Sequence, residues 1–429
     1  MTWKEPMRRT FIAAAVASLA AAVMPTAHAV PPILTGSFAS DNVDLVASLP
    51  DVQAIGAKII DGYMYVTTTH GVRIYDVSGG LPVLTGALSL PHFENESVDT
   101  NGEVLLVSAD AFVLGGTGLN VLAVIDVRNK NAPILAGLTL QEDGHTATCI
   151  DDCSYAYTSG GEIYDIRDPL NISKVGQARN GYTHNWNLDA TGIAWADGYE
   201  LYDTSNPTAP QLLPSVGAFG WHNSIRPNAS NAQLADGDVD AGELVLSSGE
   251  ELYDWNFPKG ECTDQAGFET AWFRTLPDSS YRVQNLDIWQ VDLDGTAITE
   301  AKPASATFCS SHWIEYHEDL AVVGWYEQGV RILDVSDPSD VRQVAWFMPV
   351  ESQAWGAYFN EVVEGPFGGG TYVYTMDYVR GIDVFKVDAT AGVSPTVLAP
   401  RLNPTSAAFA PSERFGWACR VPKGTDLVG

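Results

Sequence analysis

Positive charge is what this sequence has least of. Lys and Arg number 23 against 53 Asp and Glu, a formal net charge of −30 over 429 residues. Such a surface repels phosphate backbones and anionic headgroups, which argues against nucleic acid and lipid surfaces as partners. It favours cations, divalent metals among them. Long apolar runs are missing after residue 29: no later stretch offers about 18 uninterrupted apolar positions, so no membrane span is expected. A sustained 3.6-residue apolar period is missing too, which excludes a helical architecture. With no Gly-x-Ser-x-Gly elbow, Walker loop or dinucleotide fingerprint, serine-hydrolase, NTPase and Rossmann chemistry have no residues to rest on. Cysteine is scarce: there are five, at 149, 153, 262, 309 and 419. Cys149-Ile-Asp-Asp-Cys153 brackets a tight turn, and its spacing permits a disulfide across a hairpin. No second close pair completes a zinc set, and sequence leaves the pairing of Cys262, Cys309 and Cys419 open.

What is present begins with an address. Arg8-Arg9-Thr10-Phe11-Ile12, an Ala-rich apolar run and the small-residue site Ala27-His28-Ala29 read as a twin-arginine export signal over residues 1–29. The expected location is outside a bacterial cell, free or associated with the wall. Residues 30–390 form the expected folded domain, and the Pro-, Ala- and Ser-rich residues 391–429 a coil tail.

Repetition organises that domain. Ala57-Lys-Ile-Ile, a turn at Asp61-Gly62, Tyr63-Met-Tyr-Val-Thr, a turn at His70-Gly71, Val72-Arg-Ile-Tyr-Asp76-Val and Pro82-Val-Leu-Thr follow one another. Each run is short and β-branched or aromatic, the pattern of consecutive antiparallel strands. The third run recurs as Val124-Ile-Asp126-Val, Ile163-Tyr-Asp165-Ile, Leu201-Tyr-Asp203-Thr and Ile332-Leu-Asp334-Val, with degenerate copies at Ile288-Trp-Gln290-Val and Val384-Phe-Lys386-Val. Seven copies give a mean period of about 48 residues, that of a four-stranded propeller blade. A lone blade cannot cover both its faces, whereas blades stacked about an axis cover one another. The fold expected is all-β, a seven-bladed β-propeller, with six or eight blades as the neighbouring solutions. The fifth unit is swollen by an aromatic, Cys-containing insertion around 253–281. Pro32-Ile-Leu-Thr-Gly36 echoes Pro82-Val-Leu-Thr-Gly86, so the N-terminal segment is expected to add an outer strand to the last blade.

The Ile/Leu/Val-Tyr/Ile/Leu-Asp-Val/Ile-Ser pattern with its preceding Gly-turn hairpin resembles the LVIVD repeat of bacterial extracytoplasmic propellers. The resemblance covers most of residues 50–390. It implies fold and location, and no single activity. The repeated Asp stands where a strand leaves for a turn, so its expected role is to cap that turn.

The histidines are grouped. His92, His145, His184, His222 and His312 fall at the start of the first strand of blades 2 to 6. The first strand of a blade is innermost, so a residue recurring there once per blade becomes a ring at one mouth of the axial channel. Alternate residues share a face, which lets Glu94 join His92. Converging imidazoles backed by carboxylate suit Fe, Cu, Mn or Zn. The metal set expected is His145, His184, His222 and His312, with Glu94 as an alternative ligand and His92 as the spare. The registers disagree, since His145 lies twelve residues before Tyr157 and His184 eleven before Trp195; side-chain alternation then need not turn every ring inward. Asp236, Asp238 and Asp240 alternate in a loop that hard-oxygen Ca²⁺ coordination would suit, but Ala241 and Ser247 occupy two positions the EF-hand pattern gives to Gly and Glu.

Two functions remain open at this level. One is a secreted binding or scaffold module for a protein, glycan or small-molecule ligand. The other is an extracytoplasmic metalloenzyme, an oxidoreductase or lyase, with its metal on the axis.

Overall fold

The computed structural model describes residues 37–50, 52–90, 97–110, 119–197, 200–216, 222–229, 241–250, 267–289, 291, 310–349 and 352–389. Their strands form seven separate sheets, one per blade. Blade 1 shows the plain meander: Ala54–Ile60, Tyr63–Thr68, Gly71–Asp76 and Val83–Ser89, each antiparallel to the next. The turn at Asp61-Gly62 closes its first hairpin with both residues at positive φ, 53° and 75°. Gly bears that conformation at no steric cost, and Asp tolerates it.

Each sheet buries both faces against its neighbours. Tyr65, Val72 and Ile74 of blade 1 pack on Leu105, Val107, Ala123 and Ile125 of blade 2. The series continues around the axis until Tyr358, Tyr372 and Val384 of blade 7 meet Met64, Val66 and Tyr75 of blade 1. That last cluster closes the circle. The repeated aspartates cap turns: Oδ1 of Asp76, Asp126, Asp165, Asp203 and Asp334 each accepts the backbone N–H two residues on, at 2.8–3.2 Å.

Three placements differ from the sequence expectations. The outer strand of blade 7 is Val43–Leu49, antiparallel to Ile382–Val387, and Ser37–Ala39 pairs instead with Arg342–Pro349 of blade 6. N-terminal closure therefore occurs one segment later than the Pro-Ile-Leu-Thr echo indicated, and residues 32–36 lie outside the described residues. Asn42, between the two strands, donates from Nδ2 to Val344 O and Asp388 O at 2.9 and 3.0 Å, tying blades 6 and 7 together.

The second difference is in blade 5. Its sheet runs Asn223–Ile225, Leu244–Ser248, Phe268–Thr275, Tyr281–Trp289, with Ser215–Val216 parallel on the outside. Ile288 thus lies within the fourth strand, next to its end, and is not a third-strand copy. Residues 267–281, read as insertion, are blade: Phe268–Thr275 supplies the buried face that an Ile-Tyr-Asp run supplies elsewhere, with Phe268, Ala271 and Phe273 buried. The rest of that insertion, the export signal, the tail, Asp236, Asp238, Asp240 and Cys262, Cys309 and Cys419 lie outside the described residues.

The third difference is one of register. Thr148 pairs with Tyr157 and Asn187 with Trp195, so each histidine stands three residues before its paired partner. The one-residue offset in the sequence is taken up in the hairpin. Blade 3 turns through four residues, Asp151–Ser154, and blade 4 through three, because Asp189 N donates to Ile193 O at 2.9 Å. The longer turn holds Asp151, Asp152 and Cys153 at positive φ of 53°, 52° and 58°, and a disulfide joins Cys149 to Cys153 across it. Both histidines keep the same orientation.

A histidine ring at one mouth of the channel

His145, His184 and His312 each lie two residues before their inner strand, and His222 one before. Backbone bonds fix these starts. His145 N donates to Asp143 Oδ1 and Ser159 Oγ, both at 3.1 Å. His184 N donates to Asp197 Oδ1 at 2.5 Å, His222 N to Ser248 O at 3.2 Å and His312 N to Gly324 O at 2.8 Å. Neighbouring blades are stitched at the same level: Thr146 Oγ1 donates to His184 O at 2.6 Å, and Ser248 Oγ donates to His312 O. Burial pushes the Asp197 carboxyl upward, against the pull of the Arg179 guanidinium 2.7 Å away.

The four imidazoles follow one another around the axis in blade order, edge-on or tilted to each other. Ring centroids lie 4.4 Å apart for His145–His184, 4.1 Å for His184–His222 and 4.2 Å for His222–His312. Each Nε2 faces a neighbouring ring or the Glu250 carboxylate. Nε2 of His145 and His184 lie 3.0 Å apart. Glu250 faces three of the rings, its Oε2 3.7 Å from His184 Nε2 and 3.6 Å from His222 Nε2, and its Oε1 3.9 Å from His312 Nε2. The ligand atoms of His184, His222 and Glu250 all lie within 4.8 Å of one another. Outer acceptors orient two of the rings. His312 Nδ1 lies 2.6 Å from Trp355 O, and a carbonyl only accepts, so the proton sits on Nδ1 and the Nε2 lone pair faces inward. His145 Nδ1 faces Asp110 Oδ2 at 3.6 Å. Tyr326 Oη donates to Glu250 Oε1. Its ring and those of Trp355 and Tyr378 wall one side of the site.

The structure therefore brings together four of the six residues expected from the sequence. His92 and Glu94 lie outside the described residues. Trp355 takes the histidine's place in blade 7, its ring 5.5 Å from that of His312. Two carboxylates were missed, Glu250 and Asp110. Both follow the second strand of a blade, Leu244–Ser248 and Val104–Ala109, where the hairpin to the third strand returns to the histidine mouth. Ser248-Gly-Glu250, Ala109-Asp110 and Ala196-Asp197 share the detectable signal: an acid directly after the small residues that end a second strand.

The far mouth is different in kind. A cavity of about 480 Å³ opens there, between the ends of the inner strands of blades 4, 5 and 6. Asn187, Asp189, Arg226, Asn228, Glu315 and Tyr316 are among the residues lining it.

No protein-family model matches the chain and no curated protein matches it. Solved structures do. The β-propeller domain of Myceliophteria thermophila Cps50 (Swd1) is similar over 81% of this chain and 100% of its own, at 10% identity and a TM-score of 0.52. The WD40 repeats of RRP9 cover 83% at 8% identity and a TM-score of 0.48, and YCF48 bound to D1 peptide covers 84% at 11% and 0.46, each over 100% of its own chain. At such identities the likeness is one of fold: the chain is a seven-bladed β-propeller.

Proposed function

We propose that this propeller is a metalloprotein that holds one first-row transition-metal ion on its axis, at the mouth where His145, His184, His222, His312 and Glu250 converge. The carrying observation is that Nε2 of His184, His222 and His312, from three consecutive blades, faces the Glu250 carboxylate at 3.6–3.9 Å, with His145 Nε2 3.0 Å from that of His184. Ligands about 2.1 Å from an ion and at right angles to each other stand about 3.0 Å apart, which is the separation of the His145 and His184 nitrogens. The 3.6–3.9 Å separations to Glu250 are too long for hydrogen bonds and suit wider angles at a shared ion. Backing of the ring nitrogens by Asp110 and Trp355 O is the arrangement that makes imidazole a better ligand and fixes its tautomer. The Glu250 side chain is 4% exposed, and a cation would offset the cost of enclosing its charge.

Four imidazoles and one carboxylate exceed the tetrahedral demand of zinc, and nitrogen donors suit neither Mg²⁺ nor Ca²⁺. That set favours Fe, Mn or Cu, and with them an oxidoreductase acting on a ligand held against Tyr326 and Trp355. The coarser reading, a propeller that binds at its axis, includes this one. The twin-arginine segment and the LVIVD-like repeat support a secreted bacterial protein, and Tat export would allow the metal to be loaded before translocation.

The test is elemental analysis of untagged protein purified without chelator, then reconstituted with Fe²⁺, Mn²⁺ and Cu²⁺ in turn. About one ion per chain, lost in His222→Ala, is the expected result. Less than about 0.1 ion per chain after reconstitution overturns the reading.

A further inference from the structure

We propose that the far-mouth cavity is a second binding site, for a small organic cation such as a primary ammonium, with the Glu315 carboxylate as its counterion. The two sites lie at opposite ends of the same short strands. The inner strand of blade 6 runs Ile314–His317 from just beyond His312 to the cavity.

The lining residues sort by what they still offer. Arg226 has its charge paired: its Nη1 meets Asp189 Oδ2 at 3.2 Å, its Nε donates to Gly242 O at 2.8 Å, and the guanidinium stacks on Phe273 at 4.3 Å. Asp189 is spent on the same pair, on Trp195 Nε1 at 3.2 Å and on the turn that follows it. Lys58, the cation whose charge reaches Glu315, is bound to Asp99 at 2.5 Å. Asn187 Nδ2 donates to Asn223 Oδ1 at 2.7 Å, and Asn228 Nδ2 donates to Tyr316 Oη at 3.1 Å. Each amide uses one of its two N–H groups on the protein, and the second N–H and the carbonyl oxygen remain to it.

Among the described lining residues the remaining charge is negative. The carboxylates of Glu315 and Glu318, the amides of Asn187 and Asn228 and the His317 imidazole line a space of about 480 Å³, within the usual range of small-ligand pockets. A concavity with a net negative charge calls for a cationic ligand, and an ammonium has the matching charge and three N–H donors for the carboxylates and amide oxygens. The charge of −30 on the whole chain draws cations to such a mouth. Glu315 is half-buried on the cavity wall; that burial pushes its carboxyl up to about 7, with Lys58 pulling it back.

The experiment is calorimetric titration at pH 8 of full-length protein with 1,4-diaminobutane, using 1,4-butanediol as the neutral isostere, with and without EDTA. Saturable diamine binding and no diol binding are expected, unaffected by the chelator. Glu315→Gln should weaken diamine binding at least tenfold while melting cooperatively at a temperature no lower than that of the parent protein. Asn228→Asp, which adds a carboxylate to the wall, should tighten it severalfold. Absence of heat at 10-fold higher diamine than the protein's charge titrates, equal binding of the diol, or unchanged affinity in Glu315→Gln would each overturn the proposal. Loss of binding with EDTA would assign the diamine to the metal mouth instead.

Discussion

The Nε2 atoms of His145 and His184 lie 3.0 Å apart although 39 residues separate them in the chain. They meet because each begins the innermost strand of its own blade, and blades 3 and 4 stand side by side. The same rule places His222 and His312 next in the row.

Outer support of these rings has a measurable consequence. Asp110 faces His145 Nδ1 and holds that imidazole toward the axis. Asp110→Asn should lower metal affinity by about 10–100-fold while leaving the stoichiometry at saturation unchanged. Competition against a chromophoric chelator would measure it. Equal affinity in the variant would leave Asp110 without a part in the site.

Glu315 gives a stability change of definite sign. Its carboxyl is raised from 4.5 to about 7 by burial, so the native state holds its proton more tightly than the unfolded chain. The stability it contributes is complete below about pH 4.5 and is lost as pH rises through 7. Glu315→Gln should therefore raise the melting temperature at pH 8.5 and change it little at pH 5. Calorimetric scans at the two values test this, and an equal shift at both would contradict it.

The Asp189–Arg226 pair ties the end of blade 4's inner strand to blade 5, with both side chains buried. Removing one partner strands the other charge. Asp189→Ala should cost about 3–5 kcal/mol in denaturant unfolding. The lost bonds to Trp195 Nε1 and to the turn at Thr191 and Ile193 act in the same direction.

The Cys149–Cys153 bridge closes a very short loop. Loop-closure entropy for so few residues gives a contribution of about 2 kcal/mol or less. Reduction, or Cys149→Ser, should lower the melting temperature by only a few degrees. The histidine mouth lies at the other end of that strand, so metal stoichiometry should not change.

Much of the fold was legible because blades are local objects. Strand, turn and repeat are encoded within about 50 residues, and the aspartates that cap the third strands could be read singly. Blade 5 was misread where Phe268–Thr275 meets its packing demand without the Ile-Tyr-Asp wording, since a buried strand requires shape and apolarity more than a motif. Ring closure was misplaced for a related reason. Pro32-Ile-Leu-Thr and Val43–Leu49 are both plausible outer strands by composition, and only pairing partners distinguish them.

Glu250 shows the limit of the repeat argument for the site. It reaches the axis from a second-strand hairpin, and the acid that follows the second strand recurs only at Asp110 and Asp197 among the positions compared, a far weaker pattern than the histidines. Tyr326, two residues past its own second strand in blade 6, arrives by the same route to donate to it.

The order of residues settled on its own that this protein would be a ring of short sheets, acidic throughout, with one histidine at the start of successive units. Repetition and alternation are properties of neighbouring residues, so the chain states them directly. Which rings turn inward, which carboxylate meets them, and which lysine and arginine are already engaged at the far mouth were decided only by the closed circle. Those relations join groups on different blades, and their distances exist only once rotation about the axis has brought the blades together.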